Sequence, residues 1–350
     1  MRHYLLFATE LYALPILRPL AAAIRASGGD AAWFLPDEAA THLRRDEQRL
    51  VDARAVAAWA PRAILSASNW VPHFFPGRKV QLFHGFNVEK REAERGHFRI
   101  RGLFDLYCTQ GPATTDPFRD LAREHGHFAV VETGWPKLDP LFAPDDGSAV
   151  ALRPGDGRPI ALYASTFTES LSSAPLLYEE IARQVARGDR YWLLTLHPKA
   201  DPRWVADYRA LAGPNARFIE ADALIPALRV ADVLVSDTSS AVSEFVVQRK
   251  PVVTFRNRAP KPHMIDISDP VELELALQRA FAPGEALRGE LAAYADLIHP
   301  WRDGHSSERV LGAARDFVAG RFGQLGRKPA NLWRRLQMRS RLRSFGSASA

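Results

Sequence analysis

Five short polar stretches each follow directly after an apolar run in this sequence. They are His84-Gly85, Thr133-Gly134, Ser165-Thr166, His197-Pro198 and Ser236-Asp237-Thr238-Ser239-Ser240. In open parallel sheets, ligands bind at the carboxyl ends of the strands. These positions therefore predict a polar ligand that is held by imidazoles and hydroxyls.

The stretch from Ser236 to Ser240 is the most informative of the five. It follows the apolar run 233–235, and residues 241–247 after it have the pattern of a buried helix. The first N–H groups of a helix, together with nearby hydroxyls, suit a phosphate. N-capping by a serine explains the same residues, so the stretch alone favours neither interpretation. Glu244, one turn into the helix, suits ribose hydroxyls or merely the helix dipole.

Two histidines end apolar runs in the two halves of the chain. His84 precedes Gly85, which permits close approach of the backbone to a ligand. An imidazole can accept a proton from a hydroxyl at neutral pH, although a single histidine at a strand end is more often structural. His197 suits hydrogen bonding or charge neutralisation on a diphosphate. Neither histidine has a partner at metal-ligand spacing, so we expect no metal site.

Some enzyme classes are disfavoured by motifs that the sequence lacks. It has no Gly-x-Gly-x-x-Gly fingerprint and no P-loop, which argues against dehydrogenases and NTPases. It also has no Gly-x-Ser-x-Gly elbow of the kind that carries a hydrolase nucleophile.

Short aliphatic runs alternate with helical patterns along the whole chain, which predicts an α/β fold with parallel sheets. The predicted strands are 3–8, 31–35, 63–67, 80–83, 103–109, 128–132, 160–164, 191–196, 217–219, 233–236 and 251–254. Turn-rich stretches at 144–147 and 154–157 interrupt the series and mark a domain boundary. The sequence therefore predicts two open α/β domains that face each other across a cleft.

The composition excludes several other classes. A chain of 350 residues suits two domains, and the single Cys108 rules out an internal disulfide framework. No apolar run is long enough to span a membrane, and Glu10, Pro15 and Arg18 interrupt the apolar start, so we expect a cytoplasmic protein.

The basic charge is concentrated at the C-terminal end. The formal net charge is +6, but eight Lys or Arg and no acid lie from Arg321 onward. We therefore expect no nucleic-acid partner. Leu332, Trp333, Leu336 and Met338 among these arginines indicate either a basic helix on anionic lipid, within residues 321–345, or a solvated end.

Taken in order, several motifs resemble those of the CDP-glycerol glycerophosphotransferases of wall teichoic acid and related polymer synthesis. The motifs are residues 81–85, 133–139, 197–198, 236–240 with Glu244, and 303–310. The resemblance implies a GT-B architecture with two Rossmann-like domains. We expect an acceptor domain at 1–150, a nucleotide-donor domain at 158–312, and a C-terminal helix with a basic tail at 313–350.

The resemblance also implies a reaction and a set of roles. The family moves glycerol phosphate or a related polyol phosphate from a CDP-linked donor onto a hydroxyl of a glycan or lipid-linked acceptor, releasing CMP without a cofactor. Carried over, His84 is the general base, and His197 contacts the donor diphosphate. A lipid-linked acceptor would place such an enzyme at the inner face of the cytoplasmic membrane. The donor and phosphate-binding candidates are Gly85, Thr133, Gly134, Thr166, Lys199, Asp237, Thr238, Ser239, Ser240 and Glu244.

The sequence departs from the family pattern in three respects, one of which is a short first domain that lacks the helical membrane-targeting insertions of the wall polymerases. Phe86 and Asn87 follow Gly85 where the family often has a threonine and a nearby lysine, which bears on acceptor contacts. The stretch 165–168 lacks the family's arginine, so His197 or Lys199 would have to replace one cation on the diphosphate.

Three other functions fit the same motifs. A GT-B glycosyltransferase uses a similar phosphate grip, and the UDP-N-acetylglucosamine 2-epimerase group has similar strand-end histidines. That group typically has Ser-Gly-Gly where this chain has Thr238-Ser239-Ser240. A degenerate GT-B scaffold that only binds a partner is the non-enzymatic alternative.

Overall fold

The computed structural model of the protein describes residues 3–86 and 98–343. Its contacts divide the chain into two compact units. Unit 1 comprises Met1–Asp139 and Asp303–Ala350, and unit 2 comprises Pro140–Arg302. The division differs from the predicted 1–150, 158–312 and 313–350, because the segment from Asp303 onward packs with the N-terminal half.

Unit 1 contains a six-stranded sheet in which all paired strands are parallel, in the order β2-β1-β3-β4-β5-β6. Its strands are β1 His3–Phe7, β2 Asp30–Phe34, β3 Ala63–Ser66, β4 Arg78–Gln81, β5 Leu106–Thr109 and β6 Ala129–Glu132. Its helices are α1 Leu14–Ala26, α2 Asp37–Ala40, α3 Ala53–Trp59, α4 Pro112–His125 and, from the returning segment, α12 Ser306–Val318 and α13 Leu332–Arg343.

Unit 2 contains a second six-stranded parallel sheet, in the order β12-β11-β10-β7-β8-β9. Its strands are β7 Ile160–Ser165, β8 Tyr191–Leu196, β9 Ala216–Phe218, β10 Val233–Ser236, β11 Val252–Phe255 and β12 Met264–Ile267. Its helices are α5 Asp139–Phe142, which begins at the boundary, α6 Ala174–Arg187, α7 Pro202–Ala210, α8 Leu224–Val230, α9 Ala241–Val246, α10 Leu273–Phe281 and α11 Glu285–Ile298.

The two parallel sheets with interleaved helices confirm the predicted α/β class. The central strands are buried along their whole length, as in β7 and β10, because helices cover both faces of a parallel sheet. All eleven predicted strands are present within a few residues. Strand β12 was missed, because its burial alternates and Asp266 faces solvent at the edge of the sheet.

The first helix has a proline near its start. Helix α1 begins at Leu14, with Pro15 in the first turn. A proline is tolerated there because its missing N–H has no helical partner.

Among the described residues, no helix is long and apolar enough to cross a membrane, and no group of His, Cys, Asp or Glu is arranged to hold a metal ion.

A buried carboxylate ties the segment after Asp303 to unit 1. Asp139 accepts hydrogen bonds from the Ser306 and Ser307 backbone N–H groups, both at 2.8 Å, and from the Ser307 hydroxyl at 2.6 Å. These donors begin α12, which packs against α1, β4 and β5. Burial raises the pKa of Asp139, and the hydrogen bonds oppose that shift. The motif at 133–139 and the motif at 303–310 therefore meet in one joint.

The part of the C-terminal segment from Lys328 to Met338 also packs on unit 1. Lys328 Nζ lies 2.7 Å from Asp105 Oδ1 and donates to the Leu103 carbonyl at 2.9 Å. Gly102 has a φ of +65°, and a Cβ there would lie 2.5 Å from Cγ of Pro329. Met338 of α13 is buried in the core of unit 1. Of the predicted lipid-contact range 321–345, residues 344 and 345 lie outside the described residues.

We expect Asp139→Asn to lower the free energy of unfolding by about 2–3 kcal/mol, because hydrogen bonds to a buried charged acceptor are lost. The control is Asp316→Asn on α12, which removes only the exposed ion pair between Asp316 and Arg321. It should lower the free energy of unfolding by less than about 1 kcal/mol. Urea denaturation followed by tryptophan fluorescence measures both. Equal losses in the two variants would contradict the capping role.

Candidate functional site

In unit 2, most of the predicted donor residues lie along the edge of the sheet that is formed by the carboxyl ends of its strands. Strands β10, β7 and β8 are neighbours and parallel, so their carboxyl ends lie on the same side. The residues 236–240 follow β10, Thr166 follows β7, and His197 follows β8. The structure thus brings together, within one unit, three of the five stretches that were recognised separately in the sequence.

Asp237 organises this edge. Its side chain is fully buried, and its carboxylate accepts hydrogen bonds from the Thr166 N–H at 3.0 and 3.2 Å. It also accepts from the Ser173 N–H at 2.9 Å and the Ser173 hydroxyl at 3.0 Å. Burial raises the pKa of Asp237, against the effect of these donors. The carboxylate therefore holds the loop after β7 and the start of α6 against β10.

The serines of the turn after Asp237 differ in their surroundings. Ser239 Oγ accepts from the Ala241 N–H at 3.3 Å, which is a local turn contact, whereas the Ser240 side chain is exposed and makes no capping hydrogen bond. Helix α9 has six residues and ends one residue before the predicted 247. Glu244, in the first turn of α9, is buried. Ser240 is thus the serine of this turn whose side chain is open to solvent.

The neighbouring strand contributes residues that the sequence analysis missed. Asn257 follows β11 and donates its amide to the Asp237 carbonyl at 3.0 Å. The Arg258 N–H donates to Thr238 Oγ1 at 3.1 Å, and the Arg258 side chain is exposed. The backbone of Arg258 is therefore held at the edge that lacks the family's arginine after β7. The signal in the sequence was the polar stretch 256–258 directly after an apolar strand.

His197 is held as a neutral hydrogen-bond donor. Its Nδ1 accepts from the Lys199 backbone N–H at 3.1 Å, so the ring proton belongs on Nε2. Its ring packs against Phe167 at a centroid distance of 4.4 Å. Burial, and after it the charge of Lys199, lowers the pKa of His197 below its ordinary value of 6.5. At neutral pH the imidazole therefore offers an N–H, which favours the hydrogen-bonding role of His197 over charge neutralisation.

In unit 1, His84 follows a strained residue. Strand β4 ends at Gln81, and Phe83 has a φ of +60° in the left-handed region. A bulky residue in that region is disfavoured by about 1–2 kcal/mol, and such strain is concentrated at functional sites. The Phe83 ring is buried against Phe118 at a centroid distance of 5.0 Å. The core thus fixes the backbone so that the next side chain, His84, is exposed.

Two residues that the sequence analysis missed surround His84. The Tyr12 ring lies 5.3 Å from the His84 ring between centroids. The buried Gln110 donates its amide to the Gly85 carbonyl at 3.1 Å, which fixes the backbone of His84-Gly85. His84 is therefore a positioned and solvent-exposed imidazole at the end of β4.

Thr133 and Gly134 occupy a structural joint of unit 1. Thr133 is fully buried, and its hydroxyl donates to the carbonyls of Gly134 at 3.0 Å and Thr109 at 3.4 Å. The Thr133 carbonyl accepts from Arg309 Nε at 2.8 Å, and Gly134 has a φ of +77°. This turn connects the 133–139 motif to the 303–310 motif, so we give Thr133 and Gly134 no part in donor binding.

Comparisons with solved structures show the fold. The wall teichoic acid polymerase TagF superposes with a TM-score of 0.67 at 13% identity, over 92% of this chain and 90% of that chain. A TagF variant soaked with CDPG gives 0.64 at 13% identity over the same shares. A putative UDP-N-acetylglucosamine 2-epimerase from Listeria monocytogenes gives 0.63 at 14% identity, over 91% and 96%. The predicted α/β, GT-B-like fold is confirmed.

The family comparison concerns the sequence itself. No curated protein matches the chain. The sequence model of the family described as CDP-glycerol:poly(glycerophosphate) glycerophosphotransferase matches residues 103–259, which include Thr166, His197 and the turn after β10. The resemblance predicted from the motifs is therefore confirmed, and over residues 103–259 this chain matches the CDP-glycerol:poly(glycerophosphate) glycerophosphotransferase family.

Proposed function

We propose that this protein transfers glycerol phosphate, or a related polyol phosphate, from a CDP-linked donor to a hydroxyl of a glycan or lipid-linked acceptor and releases CMP. The observation that carries the proposal is the set of strand-end residues gathered by Asp237 in unit 2, inside the region that matches the family. The TagF variant soaked with CDPG supports a CDP-linked donor for this fold.

Donor binding is assigned to the exposed and half-exposed groups of this edge. Hydroxyls of Thr166 and Ser240 and the Nε2–H of His197 are hydrogen-bond donors suited to phosphate oxygens. Lys199 and Arg258 supply positive charge, and Arg258 takes the place of the arginine that the stretch 165–168 lacks. Charge-assisted hydrogen bonds of this kind stabilise the negative charge that grows on departing CMP.

Proton removal is assigned to His84. The acceptor oxygen forms a bond to the glycerol-linked phosphorus of the donor while the bond from that phosphorus to the bridging oxygen breaks. The bridging oxygen leaves with CMP, and the acceptor hydroxyl proton passes to the His84 imidazole. Phosphoryl transfer depends on positioning and charge stabilisation more than on a covalent intermediate, so the proposal needs neither a protein nucleophile nor a resident cofactor.

The main alternative is an enzyme that acts on a nucleotide sugar. The structural match to a putative UDP-N-acetylglucosamine 2-epimerase keeps this alternative open, because that protein superposes almost as well as TagF. The family match and the presence of Thr238-Ser239-Ser240 instead of Ser-Gly-Gly favour the CDP-linked donor.

For the donor site, we expect wild-type protein to bind CDP-glycerol more tightly than UDP-N-acetylglucosamine. Arg258→Gln, Ser240→Ala and His197→Ala should each weaken CDP-glycerol binding about 10- to 150-fold, because one hydrogen bond to a charged phosphate contributes about 1.5–3 kcal/mol. Isothermal titration calorimetry measures these affinities. Ser148→Ala, at an exposed turn of unit 2, is the control and should bind normally. Preferential binding of the uridine nucleotide would refute the proposal.

For the base, we expect His84→Ala to lower kcat by about 10²–10⁴-fold, the range for general base catalysis, and to leave the Kd for CDP-glycerol unchanged. CMP release with a glycolipid extract as acceptor measures turnover. His42→Ala, which removes an exposed histidine elsewhere in unit 1, is the matched control and should keep full turnover. Near-normal turnover of the His84 variant would remove His84 as the base.

We also propose that α13 contacts an anionic membrane, at the inner face of the cytoplasmic membrane. Leu332, Trp333 and Leu336 lie on one face of the helix and are exposed by 69, 74 and 60%. Met338 on the opposite face is buried in unit 1. An exposed apolar stripe beside arginines is typical of a helix that lies at a lipid surface.

The double variant Trp333→Ser with Leu336→Ser should bind phosphatidylglycerol vesicles at least about tenfold more weakly, because burying one such side chain contributes about 1.5–3 kcal/mol. Vesicle co-sedimentation measures the binding. Leu275→Ser, which removes an apolar side chain exposed by 63% on α10, is the control and should partition like the wild type. Unchanged partitioning of the double variant would refute the contact.

A further inference from the structure

Unit 1 contains a cavity of about 440 Å³ between α13 and the segment before β5. The loop after β1 and the pair Asn69-Trp70 complete its walls. Its size lies within the range of small-molecule sites in proteins, about 300–1,000 Å³. Among the described residues that line it, none belongs to the motifs that resemble the glycerophosphotransferase family. The proposed reaction therefore leaves this cavity without a function.

Three arginines contribute to the lining of the cavity. Arg99 and Arg101 come from the segment before β5, and Arg334 comes from α13. Among residues 3–86 and 98–343, no carboxylate forms a salt bridge with any of the three. Glu10 is the acidic residue in the lining, so positive charge predominates. The cavity is therefore suited to an anion.

The fold holds these three positive charges close together. Arg334 Nη1 donates to the Arg101 carbonyl at 2.7 Å, and Arg101 Nη1 donates to the Arg99 carbonyl at 3.2 Å. Burial, and after it the charge of Arg99, lowers the pKa of both Arg101 and Arg334. A bound anion would relieve this repulsion, and guanidinium groups match the geometry of phosphate oxygens.

The exposed apolar stripe of α13 indicates a lipid as the source of the anion. Trp333 of the stripe and Gln337 of the cavity lining are four residues apart, so they are neighbours on the helix surface. A helix that lies at a membrane surface buries its apolar face about 5–10 Å into the boundary between headgroups and acyl chains. The flank of α13 that borders the cavity would then lie at the level of the lipid phosphates.

The remaining lining residues suit a headgroup that carries hydroxyls. Thr9, Asn69 and Gln337 supply polar groups for hydrogen bonds to a polyol. Leu103 and Met338 supply apolar contacts for the part of a lipid that joins the headgroup to the acyl chains. A phosphate next to a glycerol headgroup, as in phosphatidylglycerol, matches this combination of charge, polar groups and apolar contacts.

We propose that this cavity binds the phosphate of an anionic phospholipid headgroup and so anchors unit 1 to a membrane at one specific site. The lipid is an anchor and takes no part in the transfer reaction. The inference rests on the proposed function through the membrane contact of α13. It goes beyond that contact because it predicts selectivity for the headgroup and one bound lipid per chain, which apolar burial and diffuse charge do not give.

The test uses dihexanoyl phosphatidylglycerol below its micelle concentration, titrated by calorimetry into the full chain in the presence of CMP. This soluble lipid presents the headgroup without a charged membrane surface. We expect it to bind at one site per chain, and dihexanoyl phosphatidylcholine, which is neutral overall, to bind about tenfold more weakly or less, because a charged hydrogen-bond partner is lost.

Arg99→Gln should weaken the binding of the short-chain phosphatidylglycerol about 10- to 150-fold, the effect of losing one hydrogen bond between charged groups. Arg99→Lys should restore part of the affinity, because it keeps the charge but loses the planar guanidinium. Arg99 is exposed, so its substitution leaves the core of unit 1 intact.

The matched control is Arg339→Gln, which removes the same charge from α13 outside the cavity lining. This variant should bind the short-chain lipid like the wild type. Equal losses in the Arg99 and Arg339 variants would overturn the proposal, as would equal affinity for the two short-chain lipids. Loss of lipid binding when CMP is added would also overturn it, because the phosphodiester would then occupy the donor site.

Glycerol 3-phosphate distinguishes a lipid from a free phosphate ester. It should bind the cavity more weakly than the short-chain lipid, because it makes no apolar contact with Leu103 and Met338. Equal affinity for the two compounds would assign the cavity to a soluble anion and overturn the lipid site.

The variant Trp333→Ser with Leu336→Ser separates the cavity from the apolar stripe. The short-chain lipid should still bind this variant, because the arginines remain. Vesicle binding by the wild type without any binding of the short-chain lipid would overturn the cavity site and leave the stripe in place. The CDP-glycerol titration does not involve the cavity, so a failure of the proposed donor is seen separately.

Discussion

The buried carboxylate of Asp237 is the interaction on which the donor edge depends. A carboxylate in a water-excluded position is unfavourable unless donors surround it, and Asp237 accepts from the backbone of Thr166 and from both donors of Ser173. Those bonds join the ends of β10 and β7 to the first turn of α6. Ser240 and His197 then present their polar groups from the ends of β10 and β8, on either side of β7.

Asp139 has the same physical role in unit 1. It is buried, it accepts three hydrogen bonds from Ser306 and Ser307, and so it returns α12 to the sheet that carries His84. The C-terminal segment continues along unit 1 through the Lys328–Asp105 ion pair to α13. Two of the motifs that carried the family resemblance thus form a joint in the scaffold, and motif residues should not be equated with ligand contacts.

The proposed reaction depends on the positioning of catalytic side chains more than on covalent catalysis. Phe83 holds an unfavourable backbone conformation because its ring is fixed in the core, and His84 is turned outward as a result. His197 is held by the Lys199 backbone as an N–H donor. In each case a neighbour in the fold decides the orientation or the protonation state of the imidazole.

The sequence by itself determined the α/β class, eleven strands and the principal candidates His84, His197 and Ser240. Strand periodicity and strand-end polar residues are local properties, so they can be predicted from neighbouring residues. The fold decided what depends on residues far apart in the chain. Asp237 and Thr133 proved buried because their partners lie on other strands, and Arg258 joined the donor edge because β11 pairs with β10. The same is true of α13, whose Arg334 donates to the Arg101 carbonyl more than two hundred residues earlier in the chain.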